Sequence, residues 1–140
     1  MSKTLTGGCQ CGAVTYEIKA EPLFTAICHC RQCQRATGTA HNPVVGVPRA
    51  AARITGEVRH FETIADSGLP IRRGFCPTCG CRLFGLPDVA PDLLTVSVGS
   101  LDDPSGYEPE LHMFVSSAQP WDLMQDDLPK FPGLPPRPAA

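Results

Sequence analysis

Eight cysteines in 140 residues, gathered into three clusters, constrain this chain more than any other feature. They read Gly7-Gly8-Cys9-Gln10-Cys11-Gly12, then Cys28-His29-Cys30-Arg31-Gln32-Cys33-Gln34-Arg35, then Phe75-Cys76-Pro77-Thr78-Cys79-Gly80-Cys81. The N-terminus lacks the apolar region of a signal peptide, and no run approaches the roughly 18 to 20 apolar residues that span a bilayer. The expected compartment is therefore cytoplasmic, where thiols stay reduced and clustered cysteines point to metal rather than to disulfides.

Thiolate sulfur binds zinc at about 2.3 Å in a tetrahedral shell, and closely spaced cysteine pairs suit that bite. Cys76-x-x-Cys79-Gly80 has the form of a metal knuckle: glycine lets the chain turn tightly while backbone N–H groups favour the thiolates. Such a pair needs two further ligands. Cys9-x-Cys11-Gly12, at the tip of a predicted hairpin, is the obvious complement. The 64 residues between the pairs (12–75) mean that one metal would join distant parts of a single fold, unlike a linear zinc finger. The competing reading is buried or surface thiols without metal.

Cys28, Cys30 and Cys33 offer three sulfurs and no evident fourth partner. Three protein ligands and one open position is how catalytic zinc is usually held, and the open position takes water or a substrate thiol. The alternative is a second closed site completed by Cys81, His29 or a distant histidine. Cys81, two residues past a ligand at the start of a strand, reads as a small buried hydrophobe. His29, between two cysteines that must turn the same way, is expected to point elsewhere. His112 on a late strand reads as a satisfied structural histidine, and His41 and His60 carry no motif. Trp121, after Pro120, is expected to close the core. Redox chemistry at Cys76-x-x-Cys79 is disfavoured, because that pair lies among turns and strands rather than at the start of a helix.

Fifteen prolines and thirteen glycines cut the chain into short pieces, which favours a mainly β fold of short antiparallel strands. The first hairpin runs from Leu5 to Gln10 and back from Ala13 to Ile18, where Val14, Tyr16 and Ile18 alternate with Ala13, Thr15 and Glu17. Further strands are expected at Leu23–Cys28, Val44–Val47, Val58–Glu62, Ile71–Phe75, Arg82–Leu86, Leu93–Val98 and Leu111–Val115. One short helical turn, Cys30–Thr37, is expected to end at Gly38 in a left-handed cap. The chain divides into a zinc-binding domain over 1–127 and a Pro-rich tail over 128–140. The tail carries Pro129, Pro132, Pro135, Pro136 and Pro138, and should be extended or partly disordered. A net charge of −2 without a basic stripe argues against a nucleic-acid partner, and nothing suggests a membrane. Arg72-Arg73 reads as a solvated strand end. Oligomeric state is left open.

The clusters in this order and spacing resemble the glutathione-dependent formaldehyde-activating enzyme (GFA) family, also the domain type of centromere protein V. The matching residues are Gly7-Gly8-Cys9-x-Cys11-Gly12-x-Val14-x-Tyr16-Glu17 and Cys28-His29-Cys30-x-x-Cys33-Gln34-Arg35-x-Thr37-Gly38, then Phe75-Cys76-x-x-Cys79-Gly80 and His112-Met113-Phe114-Val115 through Pro120-Trp121. The resemblance implies an Mss4-like zinc-binding fold with two zinc ions per chain. Structural zinc would fall on Cys9, Cys11, Cys76 and Cys79, and catalytic zinc, which an open site can lose more easily, on Cys28, Cys30 and Cys33. It implies carbon–sulfur lyase chemistry joining a thiol such as glutathione to an aldehyde, as in S-(hydroxymethyl)glutathione. The alternative function is a non-catalytic zinc module that binds a protein partner or metal. Ala118 stands where family members often carry a lysine, so that positive charge is missing here. Proton delivery has only His29 and His112 as candidates, and Arg31, Arg35, Arg72 and Arg73 are candidate contacts for an anionic substrate.

Overall fold

The computed structural model describes residues 4–136. Two sheets carry the fold. The smaller has the order β1 (Thr4–Gly8), β2 (Thr15–Lys19), β5 (Ala52–Thr55), all antiparallel. The larger has the order β10 (Leu111–Met113), β3 (Phe24–Cys28), β4 (Asn42–Pro48), β9 (Leu93–Ser97), β8 (Arg82–Pro87), β7 (Pro70–Phe75), β6 (Arg59–Ile64). Helix α1 (Arg31–Thr37) connects β3 to β4. The protein is thus mainly β with one short helix, as expected from its sequence.

Alternation in β2 works as read: Tyr16 and Ile18 are buried while Thr15 and Lys19 face solvent. One apolar cluster joins both sheets, with Leu5, Val14, Tyr16 and Ile18 from the small sheet against Val45, Val47, Leu83, Phe84, Leu94 and Val96 from the large one. The Tyr16 ring meets Phe84 edge-on with centroids 5.3 Å apart, and its hydroxyl pairs with Ser100 Oγ at 2.7 Å. A buried phenol keeps a polar partner because an unpaired hydroxyl in the core is costly.

Two expectations need correction, and one strand was not anticipated. β10 runs parallel to β3, so the larger sheet is mixed rather than antiparallel. β10 also stops at Met113, because Phe114 takes the left-handed region (φ 59, ψ 37) and turns the chain out of the ladder. β5 was not expected at all, since its exposed residues show no alternation.

The chain after Leu128 is held to β10. Phe131 N–H donates to His112 O at 3.0 Å, and His112 N–H and Phe114 N–H donate to Pro129 O and Gly133 O at 2.9 and 3.1 Å. Prolines cannot donate, so the segment pairs through its carbonyls and through the N–H of residues between them. Its last residues, 137–140 with Pro138, lie outside the described residues.

Candidate metal centres

The first cysteine group forms where the sheets' loops meet. The β1–β2 hairpin tip carries Cys9 and Cys11, and the β7–β8 turn carries Cys76 and Cys79; their four sulfurs lie within 4.8 Å of one another. Cys11 Sγ is 3.7 Å from both Cys9 Sγ and Cys76 Sγ. A tetrahedral ion with arms of about 2.3 Å has edges of roughly 3.8 Å, so these sulfurs already fit a zinc-sized shell. Backbone donors surround them. Val14 N–H reaches Cys9 Sγ at 3.3 Å, and Thr78 and Cys79 N–H reach Cys76 Sγ at 3.4 and 3.5 Å. The Val14 bond leads in lowering the Cys9 thiol to about 6. Gly80 sits at φ 77 and donates to Cys76 O at 2.8 Å, the turn its position requires. Cys81 stays outside the group, half-buried against the core, with its thiol pushed up by burial.

The second group forms where β3 ends and α1 begins. Cys28 closes β3, Cys30 is the α1 N-cap and Cys33 lies one turn in; all three are buried. Cys30 Sγ accepts from Cys33 N–H at 3.2 Å, so this sulfur doubles as the helix cap. Gly38 ends the helix at φ 72, with its N–H on Gln34 O at 2.8 Å. Cys33 and Cys28 sulfurs are 3.4 Å apart. Contacts from Cys28 and then Cys33 pull the Cys30 thiol down to about 2, while Cys28 is pushed well above its ordinary value mainly by Cys30. Sulfurs this close cannot all carry charge without a cation among them, and binding metal would release their protons. Among the described residues no fourth Cys, His, Asp or Glu joins this group.

Arg73 is not a solvated strand end. It is buried on β7 with its guanidinium donating to Gln32 Oε1 at 2.8 Å and Thr63 Oγ1 at 3.3 Å, and its positive charge acts on the nearby Cys30 and Cys33 sulfurs. Arg82, on β8, donates to Gly74 O and Phe84 O, and burial, with Arg73 nearby, pulls its guanidinium down to about 10. Two cations beside three sulfurs had no sequence signal, because the pattern of β7 does not say which way residue 73 faces.

His29 does point away from the sulfurs. Its Nε2 is 2.8 Å from His112 Nδ1, and His112 Nε2 is 2.8 Å from Asp126 Oδ2. Both rings are buried, and they face each other and Asp126 rather than the sulfurs. Trp121 does not close the core; it is 70% exposed, on the irregular segment after Pro120. With Arg31, Arg35, Gln34 and Gln119 it lines an open hollow of about 530 Å³ alongside α1.

Residues 4–117 match the family described as glutathione-dependent formaldehyde-activating enzyme. The chain belongs to that family. A curated Penicillium rubens protein, described as "Putative glutathione-dependent formaldehyde-activating enzyme", is 28% identical over 126 residues, 83% of this chain and 64% of that protein. The chain therefore spans less than two thirds of that relative's length. A crystal structure of a Rhodobacter sphaeroides protein matches with a TM-score of 0.57 at 21% identity, covering 90% of this chain and 98% of the other, a likeness of fold. Both cysteine groups of this GFA-family chain have the donors and spacing to hold metal ions.

Proposed function

We propose that this chain is a zinc-dependent carbon–sulfur lyase acting on a thiol–aldehyde adduct of the S-(hydroxymethyl)glutathione type. The observation that carries this reading is the contrast between the two cysteine groups: four sulfurs close the first, and three sulfurs leave the second one ligand short. In this reading Cys9, Cys11, Cys76 and Cys79 hold structural zinc, and Cys28, Cys30 and Cys33 hold the zinc at which chemistry occurs. Zinc held by those three thiolates would supply one open position for a soft sulfur and favour its thiolate form.

The reaction needs no oxidant. In cleavage the C–S bond breaks with its electron pair going to sulfur, the hydroxyl O–H pair becomes the carbonyl, and the proton is released. In addition the same steps reverse. Arg73 and Arg82 offset the charge that accumulates as sulfurs gather at the second group, since a divalent ion with four thiolates carries −2 and the two guanidiniums restore neutrality. The hollow beside α1, with Arg31 and Arg35 on its wall, is where the anionic remainder of a glutathione-like thiol would lie. The working compartment is the cytoplasm, with neither nucleic acid nor membrane as partner; no helix among the described residues is long and apolar enough to cross a membrane.

Burial of all three sulfurs favours a second reading, a non-catalytic zinc module that binds a protein partner or metal. Exchange between formaldehyde, glutathione and their adduct, followed by NMR with zinc-loaded protein, separates the two. Acceleration over the spontaneous reaction, lost in Cys30→Ser together with one zinc per chain, supports the lyase. Zinc bound at both cysteine groups with no acceleration would leave the binding module.

A further inference from the structure

Behind the second cysteine group, His29, His41 and Asp122 converge, with one ligand atom of each within 4.8 Å of the others. The hydrogen bonds fix what each can do. Asp126, anchored by Lys130 Nζ at 3.0 Å, can only accept, so His112 Nε2 carries the proton of their 2.8 Å bond. His29 Nε2 and His112 Nδ1 share one proton across 2.8 Å. With that proton on His29, its Nδ1 is a lone pair available to a cation. This atom is fully buried, has no hydrogen-bond partner, and lies 3.3 Å from Asp122 Oδ2. In that state a buried lone pair faces the half-buried carboxylate of Asp122, and a cation between them would satisfy both. His41 Nδ1 approaches the same carboxylate oxygen at 2.8 Å.

We propose that His29, His41 and Asp122 form a third metal site, distinct from both cysteine groups, that takes a borderline divalent cation such as Zn²⁺ or Co²⁺. Two imidazole nitrogens and one carboxylate oxygen are a donor set that suits such ions and leaves an open position. The geometry is close to ready. Ligands about 2.0 to 2.1 Å from a tetrahedral ion lie roughly 3.3 to 3.4 Å apart, the separation His29 and Asp122 already have. His41, whose side chain is 34% exposed, would withdraw by about half an ångström as its proton leaves. The outer shell is also in place: His29 donates its other ring N–H into the His112–Asp126 chain, as metal-bound histidines generally do.

The test uses the full chain with its cysteine groups saturated with zinc, titrated with Co²⁺ and followed by visible absorption and by metal content. A further equivalent of cobalt should bind with ligand-field bands but without the sulfur-to-cobalt charge-transfer absorption that thiolates produce. Asp122→Asn and His41→Ala should each remove that equivalent and leave the zinc content unchanged. Asp126→Asn, which acts only through His112, should weaken it by about 10- to 100-fold. His29 itself is too buried to substitute cleanly. The proposal is overturned if no thiolate-free cobalt binds the parent chain, or if binding survives both Asp122→Asn and His41→Ala. Charge-transfer absorption from the added cobalt would assign it to a cysteine group and equally overturn the third site.

Discussion

Arg73 illustrates how much one side chain can carry. It is buried near the Cys30 and Cys33 sulfurs, and its guanidinium holds Gln32 on α1 and Thr63 on β6. Arg73→Gln keeps part of the hydrogen bonding and removes the charge. The variant should release zinc from the second group to a chromogenic chelator faster than the parent and cost about 1 to 3 kcal/mol in urea unfolding. Unchanged release would mean that the charge matters little there. Asp126 gives a pH prediction. Its bond to His112 leads in pulling the carboxyl from 3.8 down to about 2. A carboxyl lowered by folding stabilises the protein above its unfolded value and loses that contribution as pH falls toward its folded value. Urea midpoints should therefore fall between about pH 4 and about pH 2, and Asp126→Asn should flatten that fall.

Among the elements, α1 is the most informative. Seven residues are too few for a helix to be stable alone, so it depends on its caps and on what it packs against. Its N-cap is a cysteine sulfur, which only the structure revealed, and its C-cap a left-handed glycine, which was readable from Gly38. Nothing lies within 4 Å of where a Cβ would sit on Gly38, so Gly38→Ala should cost only the left-handed backbone penalty, about 1 kcal/mol by chemical denaturation. Gly46 on β4 contrasts with it, because a Cβ there would overlap the Phe24 ring. Gly46→Ala should cost more than Gly38→Ala, about 1 to 3 kcal/mol. Equal costs would show that the strand can shift to admit the methyl group. β5 escaped the sequence reading because Ala52-Arg-Ile-Thr has neither a buried face nor a turn that announces it. It is a strand only because β2 offers it an edge, from Thr15↔Thr55 to Ile18↔Ala52.

At the scale of the molecule, the first cysteine group joins the β1–β2 hairpin of one sheet to the β7–β8 turn of the other across 64 intervening residues. A metal there closes a long loop, and long closures restrict the unfolded chain most. Cys79→Ser should therefore lower the thermal midpoint markedly. Cys30→Ser, whose group links only β3 to the adjoining helix, should lower it much less while abolishing the proposed lyase activity. Differential scanning calorimetry with metal analysis of both variants checks this, and the reverse order of midpoints would deny the first group its stapling role.

The sequence by itself determined the mainly β character, the glycine that ends the helical turn and the cysteine clusters from which both candidate metal centres are built. Each depends on residues a few positions apart, whose spacing sets ligand bite, strand period or turn geometry directly. Tertiary structure alone decided that Arg73 turns inward, that Trp121 turns outward and that β10 runs parallel to β3. It also brought His29 to His112 across 83 residues and placed Asp122 and Asp126 at the two ends of that pair. Those contacts join segments with no local period in common, and they form only when the sheets pack and bring the segment after Pro120 back over β3 and β10.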